Sequence, residues 1–495
     1  MASPTDDLRS RLAVLSDLGA AGSLLSWDRD TMMPPRGADA RGEVQATLDT
    51  LVHELLAGAE LGALLEAAEA ADPQGLDAAI VRVVRRDHDH ATRIPVELTS
   101  EMARTTAAAL PAWAAAREAS DFEAFRPHLE RQVQLRRDVA ACFPEVAHPY
   151  DALLENREPG TTTAAVIDVF AELRDGLVPL IAEIAERPAP PPLPGPLAPA
   201  GQRTVALEMA RAIGYDDTSW RLDDSTHPFS MVVGPGDQRV TARWHADELS
   251  GIFAVLHEVG HGLYEQQVDP ALHRTTLDAG VSFGVHESQS RLWENQVGRS
   301  RAFWSHWLPR AQQALPPLGA LDLDAFLRSV NVVRPTLIRV EADEATYALH
   351  VILRFQIEVA LLEGTLAVAD IPAAWNDGMR DLLGITVPDD AHGCLQDIHW
   401  AFGELGYFPT YAIGNVMSAQ LWDALTEQVG GVEDALAEGD CAPVRDWLRE
   451  HVHRHGRVLD PPELLRAATG SELDPAPLLA YLREKYGALY GLSVS

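Results

Sequence analysis

The chain has 495 residues, of which 46 % are hydrophobic and 23 % are charged, as in a globular protein rather than a disordered or fibrous one. Its formal net charge is −33 at pH 7. Nucleic acids and anionic membranes bind basic patches, so neither is an expected partner. Nowhere do 18 apolar residues run together, which argues against a membrane-spanning helix.

The first residues, MASPTDDLRSR, carry acidic side chains where a secretory signal has a basic start followed by an apolar core. A cytoplasmic location is therefore expected. The three cysteines, Cys142, Cys394 and Cys441, are too few and too scattered for a disulfide framework. They are predicted to be buried, reduced thiols.

Alanine, leucine and glutamate recur at helical spacing in long segments such as 61–71, 105–119 and 434–440, whereas alternating valine and threonine are scarce. The predicted fold class is therefore mainly α. The proline-rich stretch 187–200 cannot be helical and is predicted to be a stiff, exposed connector.

One short exception to the helical pattern is 231–244, MVVGPGDQRVTARW, where GPGD lies between two apolar runs. Turn residues between strand-forming residues predict a β-hairpin. An edge strand can hold an extended peptide backbone, so a small sheet here could line a cleft.

The sequence HEVGH follows at 257–261. His257 and His261 are four residues apart, so on a helix both imidazoles project from one face and can share a metal ion. Apolar residues at helical spacing on both sides predict that helix. Glu258 can act as a base on a water at the metal, as in a zinc site built for hydrolysis. Gly260, inside the helix, indicates that another element or the substrate approaches closely.

A hydrolytic zinc site has three protein ligands and one open position. Glu287, on the helical stretch 285–296, would complete a set of two histidines and one glutamate and is the first candidate. The alternatives are His286, whose side chain would point about 100° away on the same helix, and Glu294, two turns along.

At this point the chain resembles the carboxypeptidase Taq family of metallopeptidases, and the resemblance covers almost its whole length. The segments that carry the resemblance follow one another in the family's order. They are SWDRDTMMPP at 26–35, YDALLENREPG at 150–160, HPF at 227–229, DQRVT at 237–241, HEVGH at 257–261, HESQSR at 286–291, IRVEAD at 338–343, GCLQDIHW at 393–400 and GYFPTYAIGN at 406–415.

The resemblance implies a metallocarboxypeptidase that releases single residues from the free C-termini of peptides, with broad tolerance of side chains. It assigns His257, His261 and Glu287 as metal ligands and Glu258 as the general base. One Zn²⁺ per chain is expected, and Co²⁺ can replace it at such sites. Two alternatives stay open: a zinc endopeptidase or oligopeptidase with the same catalytic residues, and a non-catalytic, metal-containing peptide-binding protein.

The resemblance also implies a single catalytic domain over 1–495, with a cleft and a small sheet near the active site. Helices within residues 1–90 would form a lid over the cleft. The connector at 187–200 lies inside this unit, because family segments stand on both sides of it. Family members are commonly homodimers, so a homodimer is expected.

An exopeptidase must hold the terminal carboxylate of its substrate, and a guanidinium does so best through two parallel hydrogen bonds. Arg339, in IRVEAD, is the first choice, since the resemblance implicates that segment in holding the substrate terminus; Arg239, in DQRVT, is the second. Lys485 is the one lysine among 40 basic residues, so 39 are arginines, and an arginine outside a motif carries little information.

The oxyanion formed during peptide hydrolysis needs a hydrogen-bond donor beside the metal. The candidates lie in the family's segments and are His227, His399, Tyr407 and Tyr411. Metal-bound histidines usually donate their second ring nitrogen to a carboxylate. Asp343 or Asp397 could take that part, and the alternative for each is membership of a structural salt bridge.

Overall fold

The structure is a computed structural model that describes residues 4–492. Helices dominate it, which confirms the predicted fold class. As far as the sheet, the helices are α1 (Pro4–Thr31), α2 (Ala38–Ala57), α3 (Ala59–Ala70), α4 (Leu76–Arg93), α5 (Val96–Ala119), α6 (Phe122–Ala141), α7 (Asp151–Leu154), α8 (Thr163–Ala185) and α9 (Pro199–Ile213).

The helices after the sheet build the larger part of the core. They are α10 (Ser250–Gln266), α11 (Phe283–Arg291), α12 (Arg301–Ala314), α13 (Leu323–Val330), α14 (Tyr347–Glu363), α15 (Ile371–Leu383), α16 (Phe408–Gln428), α17 (Val432–Ala437), α18 (Ala442–His451), α19 (Pro461–Thr469) and α20 (Ala476–Tyr490). Across residues 4–492, no helix combines the length and apolar character that a membrane crossing requires.

Three short strands form a sheet in the order β1 (Trp220–Asp224), β3 (Asp237–Ala242) and β2 (Ser230–Gly234). β2 and β3 are antiparallel neighbours, which confirms the predicted hairpin. β1 pairs with β3 in parallel and was not predicted. Three of its five residues are charged, which disfavours a strand, and its partner comes later in the chain.

The apolar interior falls into two clusters. The smaller one joins α1, α3 and α4 through residues such as Leu8, Leu61 and Ile80 to Val268 and Leu272, which follow α10. The larger cluster contains the rest of the chain's core, including the apolar face of α10. The N-terminal helices thus have a core of their own, while their part as a lid stays a prediction.

The proline-rich stretch is extended up to Ala198, and α9 begins at Pro199, where the ring occupies the first helical turn. The prediction of an exposed connector is wrong for Leu197, which is fully buried. Its backbone N–H donates to the carbonyl of Ala246, 2.6 Å away. The hydroxyl of Ser329 also donates to the carbonyl of Pro191. The stretch therefore lies partly against the body of the protein.

α11 is held between α10 and α16 by contacts that reach the backbone. A Cβ at Gly260, in α10, would lie 2.6 Å from the carbonyl oxygen of Gln289. A Cβ at Gly414, in α16, would lie 2.6 Å from the Cβ of Glu287. The close approach predicted at Gly260 is thus confirmed, and α11 itself is the approaching element.

We expect Gly260→Ala to lower the free energy of unfolding by about 1–3 kcal/mol, because the added methyl group overpacks a contact with backbone atoms that cannot rotate away. Urea unfolding followed by circular dichroism measures the change. Gly487→Ala is the matched control, since it lies in α20 with no atom within 4 Å of the added Cβ. The control gains helix propensity and should be neutral or stabilising. Equal effects of the two substitutions would contradict the packing argument.

Candidate metal centre

His257, Glu258 and His261 lie within about one turn of α10. His257 and His261 project side by side with ring centroids 4.8 Å apart. The Nε2 atoms of both rings lie 3.7 Å from Oε2 of Glu287 on α11. Two donors at about 2.1 Å from one tetrahedral ion lie about 3.4 Å apart, so these three atoms fit a zinc ion with little movement.

The structure places the two alternative ligands behind the imidazoles rather than beside the ion site. Nδ1 of His257 lies 2.9 Å from Oε2 of Glu294. Nδ1 of His261 lies 2.7 Å from Nδ1 of His286, whose Nε2 hydrogen-bonds to Glu265. Glu294 and the His286–Glu265 pair are therefore the partners of the second ring nitrogens.

These contacts fix the histidine tautomers. A carboxylate only accepts, so His257 donates its Nδ1 hydrogen to Glu294 and keeps the Nε2 lone pair for a metal. His286 donates from Nε2 to Glu265, so the Nδ1 of its neutral ring accepts from Nδ1 of His261. Nε2 of His261 is then also free to bind a metal.

The expectation that Asp343 or Asp397 holds a metal-bound histidine is wrong. Asp343 accepts hydrogen bonds from the backbone of Arg334, Ala345 and Thr346 and so shapes the turn before α14. The carboxylate of Asp397 lies between two guanidinium groups, those of Arg339 and Arg354, at 2.8 and 2.6 Å. Asp343 itself lines the cavity, and Asp397 pairs with Arg339, which also lines it.

Glu258 is almost fully buried and lines a cavity of about 670 Å³ together with His257, Arg291, Arg339 and Tyr347. Burial away from water raises the pKa of Glu258 to about 7. A carboxylate in this position can take a proton from a water bound at the ion site and later release it.

Arg339 forms part of the wall of this cavity and is 4 % exposed. Its Nε and Nη2 donate to Oδ1 of Asp397, and its Nη1 donates to the hydroxyl of Tyr347. The ring of Tyr411 lies 4.9 Å from the guanidinium carbon. Asp397 thus holds the guanidinium in one orientation at the cavity wall.

The structure does not bring Arg239 or His227 to the cavity. Arg239 pairs with Asp237 and stacks on the ring of Trp27, with 4.4 Å between the guanidinium carbon and the ring centroid. His227 is exposed in the turn between β1 and β2, where its carbonyl accepts from Ser225. A part for either residue in substrate binding stays a prediction.

His399, Tyr407 and Tyr411 lie together at the start of α16. Nε2 of His399 is 3.4 Å from the hydroxyl of Tyr411, and the two phenol rings are 5.2 Å apart. Burial raises the pKa of both phenols, and the nearby charge of Glu287 raises it further. Both phenols therefore stay protonated and can donate hydrogen bonds, although among the described residues neither they nor His399 line the cavity.

Glu158 is a buried residue that sequence reasoning missed. Its carboxylate accepts from the hydroxyl of Ser282 and the N–H of Gly284, each at 2.8 Å, at the first turn of α11. A Cβ at Gly284 would lie 2.6 Å from Oε2 of Glu158. Glu158 thus caps the helix that carries Glu287, and only the family segment YDALLENREPG could have drawn attention to it.

A helical fold with two histidines and a glutamate on one helix and a second glutamate on the next defines the class of protein, a metallopeptidase. The family model described as carboxypeptidase Taq (M32) metallopeptidase matches residues 7–486. The chain belongs to this family and is a metallocarboxypeptidase.

Relatives in bacteria cover nearly the whole chain. Thermostable carboxypeptidase 1 of Thermus thermophilus is 40 % identical over 491 residues, which cover 96 % of each protein. Carboxypeptidase 1 of Bacillus subtilis is 36 % identical and covers 98 % of this chain and 97 % of its own. The crystal structure of the M32 carboxypeptidase from Deinococcus radiodurans R1 superposes with a TM-score of 0.97 at 41 % identity, over 99 % of both chains.

We expect His286→Ala to weaken metal binding by about 10–100-fold, because His261 loses the group that orients its ring. Competition with a chelating dye measures the dissociation constant. His399→Ala is the control, since His399 contacts Tyr411 and neither metal-facing imidazole. An unchanged dissociation constant in His286→Ala would contradict the role assigned to His286.

Proposed function

We propose that this metallocarboxypeptidase removes single residues from the free C-termini of peptides, with broad tolerance of side chains. His257, His261 and Glu287 would hold one zinc ion, and Glu258 would be the general base. The observation that carries this proposal is a three-donor set of which His257 lines a cavity, together with the buried carboxylate of Glu258 and the guanidinium of Arg339.

A zinc ion at this site supplies Lewis-acid chemistry, lowering the pKa of a bound water to roughly 7 and polarising the scissile carbonyl. Glu258 takes the proton released as the water attacks and then delivers it to the departing amine. Glu258 can do so because it follows His257 directly on α10 and faces the same cavity. The phenols of Tyr407 and Tyr411 are the proposed donors to the oxyanion, with His399 supporting Tyr411.

Arg339 is the proposed clamp for the terminal carboxylate. A guanidinium has five N–H groups, of which Asp397 takes two and Tyr347 takes one. One hydrogen on each Nη therefore remains, enough for a bidentate grip on a carboxylate. A blocked C-terminus offers no such anion, so this arrangement favours an exopeptidase over the endopeptidase alternative.

Several finer expectations remain proposals. They are a single domain over 1–495, a lid formed by residues 1–90, a homodimer, a cytoplasmic location, and zinc rather than cobalt as the metal. Binding of peptide by Arg239 and His227 would require the substrate to extend from the cavity to the sheet, where the structure places both residues.

The free-acid and C-terminally amidated forms of one peptide test the function directly. We expect stepwise loss of single residues from the free acid alone, abolished by a chelator and followed by mass spectrometry. Arg339→Ala should lose most of this activity, while Arg380→Ala, which removes an exposed arginine paired with Asp377, should retain it. Internal cleavage of both peptide forms would instead establish the endopeptidase, and no metal-dependent cleavage of either would favour the peptide-binding alternative.

We expect Glu258→Gln to lower kcat by at least about 100-fold, because the amide cannot accept the proton. Zinc content, measured by atomic absorption after dialysis, should stay near one ion per chain, since the three ligands are unchanged. A metal-replete Glu258→Gln protein with wild-type turnover would refute Glu258 as the base.

A further inference from the structure

Arg291 joins the carboxylate of Glu287, which faces the metal site, to that of Glu294, which lies behind His257. It lies at the last position of α11, one helical turn after Glu287, with its side chain 17 % exposed. Its Nε donates to Oε1 of Glu287 at 2.7 Å, and its Nη1 donates to Oε2 of Glu294 at 3.0 Å. Tyr347 covers its guanidinium, with the ring centroid 4.6 Å from the central carbon.

This pairing distinguishes the two oxygens of Glu287. Oε1 is taken by Arg291, whereas Oε2 is the atom that lies 3.7 Å from both histidine Nε2 atoms. The hydroxyl of Ser290 lies 3.2 Å from Oε2 but also donates to the backbone carbonyl of Glu287 at 2.8 Å, so it competes weakly for Oε2. One carboxylate oxygen is therefore held away from the metal and the other is presented to it.

The same guanidinium also reaches the partner of His257. Glu294 accepts from His257 and from Arg291 on one oxygen, Oε2. Although burial opposes its ionisation, Arg291 and His257 hold the pKa of Glu294 well below its usual range. Glu287, Arg291, Glu294 and His257 thus form a chain of contacts that starts and ends at metal-facing atoms.

We propose that Arg291 is a positioning residue that limits Glu287 to one metal-binding oxygen and so keeps the site four-coordinate, with three protein donors and one open position. This inference rests on the proposed metal site. Four donors suit zinc and cobalt, whereas a carboxylate that binds through both oxygens favours the larger coordination numbers of oxygen-seeking ions such as Mn²⁺.

Arg299 provides a matched comparison within the same cavity wall. Its Nη2 lies 3.5 Å from Oε1 of Glu294, and its guanidinium stacks on Phe253. It contacts no atom of Glu287 at hydrogen-bond distance among the described residues. Removing Arg299 therefore takes a positive charge from Glu294 without freeing Oε1 of Glu287.

The test is the visible spectrum of the Co²⁺-substituted full-length protein. The absorption of Co²⁺ weakens as its coordination number rises from four to five to six, because mixing of d and p orbitals is strongest in a tetrahedral site. We expect an intense band for the wild type and for Arg299→Met, and a several-fold weaker band per bound ion for Arg291→Met. The preference for Zn²⁺ over Mn²⁺, from chelator competition, should narrow by at least about tenfold in Arg291→Met alone.

The outcomes separate this inference from the proposed function. If the wild type fails to bind one Co²⁺ per chain, the metal site itself is refuted. The same holds if the His261→Gln variant binds Co²⁺ as well as the wild type does. If the wild type binds one ion but its band is weak, or if Arg291→Met and wild-type spectra coincide, only the role of Arg291 is refuted. If Arg291→Met does not fold, Arg291→Lys takes its place, because an ammonium lacks the second nitrogen that reaches Glu294, and an unchanged intense band would refute the role of Arg291.

Discussion

The charge buried between α10 and α11 is the constraint on which the site depends. Glu258, Glu287 and Glu294 lie with two imidazoles in a region that water reaches poorly. A buried charge is stable only when it is paired and hydrogen-bonded, so each group needs a partner of fixed geometry. Arg291 meets this need for Glu287 and Glu294 at once, because a guanidinium donates from several nitrogens along a rigid plane.

The pairing of buried charges also organises the part of the cavity wall that carries Arg339. Arg339 and Arg354 share the carboxylate of Asp397, and Gln396 accepts from the backbone of Arg339 and from the side chain of Arg354. The triad of Arg339, Asp397 and Arg354 therefore carries one more positive than negative charge. In the proposed function, the carboxylate of a free C-terminus would supply the missing anion. Substrate binding would then neutralise a positive charge that is already in place.

The sequence predicted the parts of this arrangement that depend on local spacing. The four-residue spacing of His257 and His261 places both rings on one helix face, and the hairpin follows from turn residues between apolar runs. Glycine at 260 also predicted a close approach, because its cost inside a helix needs a packing reason.

The contacts that fix orientation could not be predicted, because their partners are distant in the chain. Glu158 caps α11 from 124 positions away, and β1 pairs with β3, which comes after β2 in the chain. Asp343 and Asp397 belong to segments that resemble the family, but the sequence of such a segment does not predict which side chain a carboxylate in it contacts. Arg291 does follow Glu287 at helical spacing, yet with 39 arginines in the chain that spacing carried little weight.

The single lysine differs from the arginines of the site in how its acceptors are arranged. Lys485 is buried, where its Nζ donates to Oε2 of Glu344 at 2.6 Å and to the hydroxyl of Tyr481 at 2.9 Å. These acceptors converge on one point, which suits a compact ammonium, whereas Arg291 and Arg339 each connect two acceptors set apart along a plane. Glu344 directly follows Asp343, so Lys485 anchors to α20 the segment that carries Arg339. The ammonium of Lys485 thus holds this part of the cavity wall in place, and the planar guanidiniums of Arg291 and Arg339 hold or supply the groups that face the proposed metal and substrate sites.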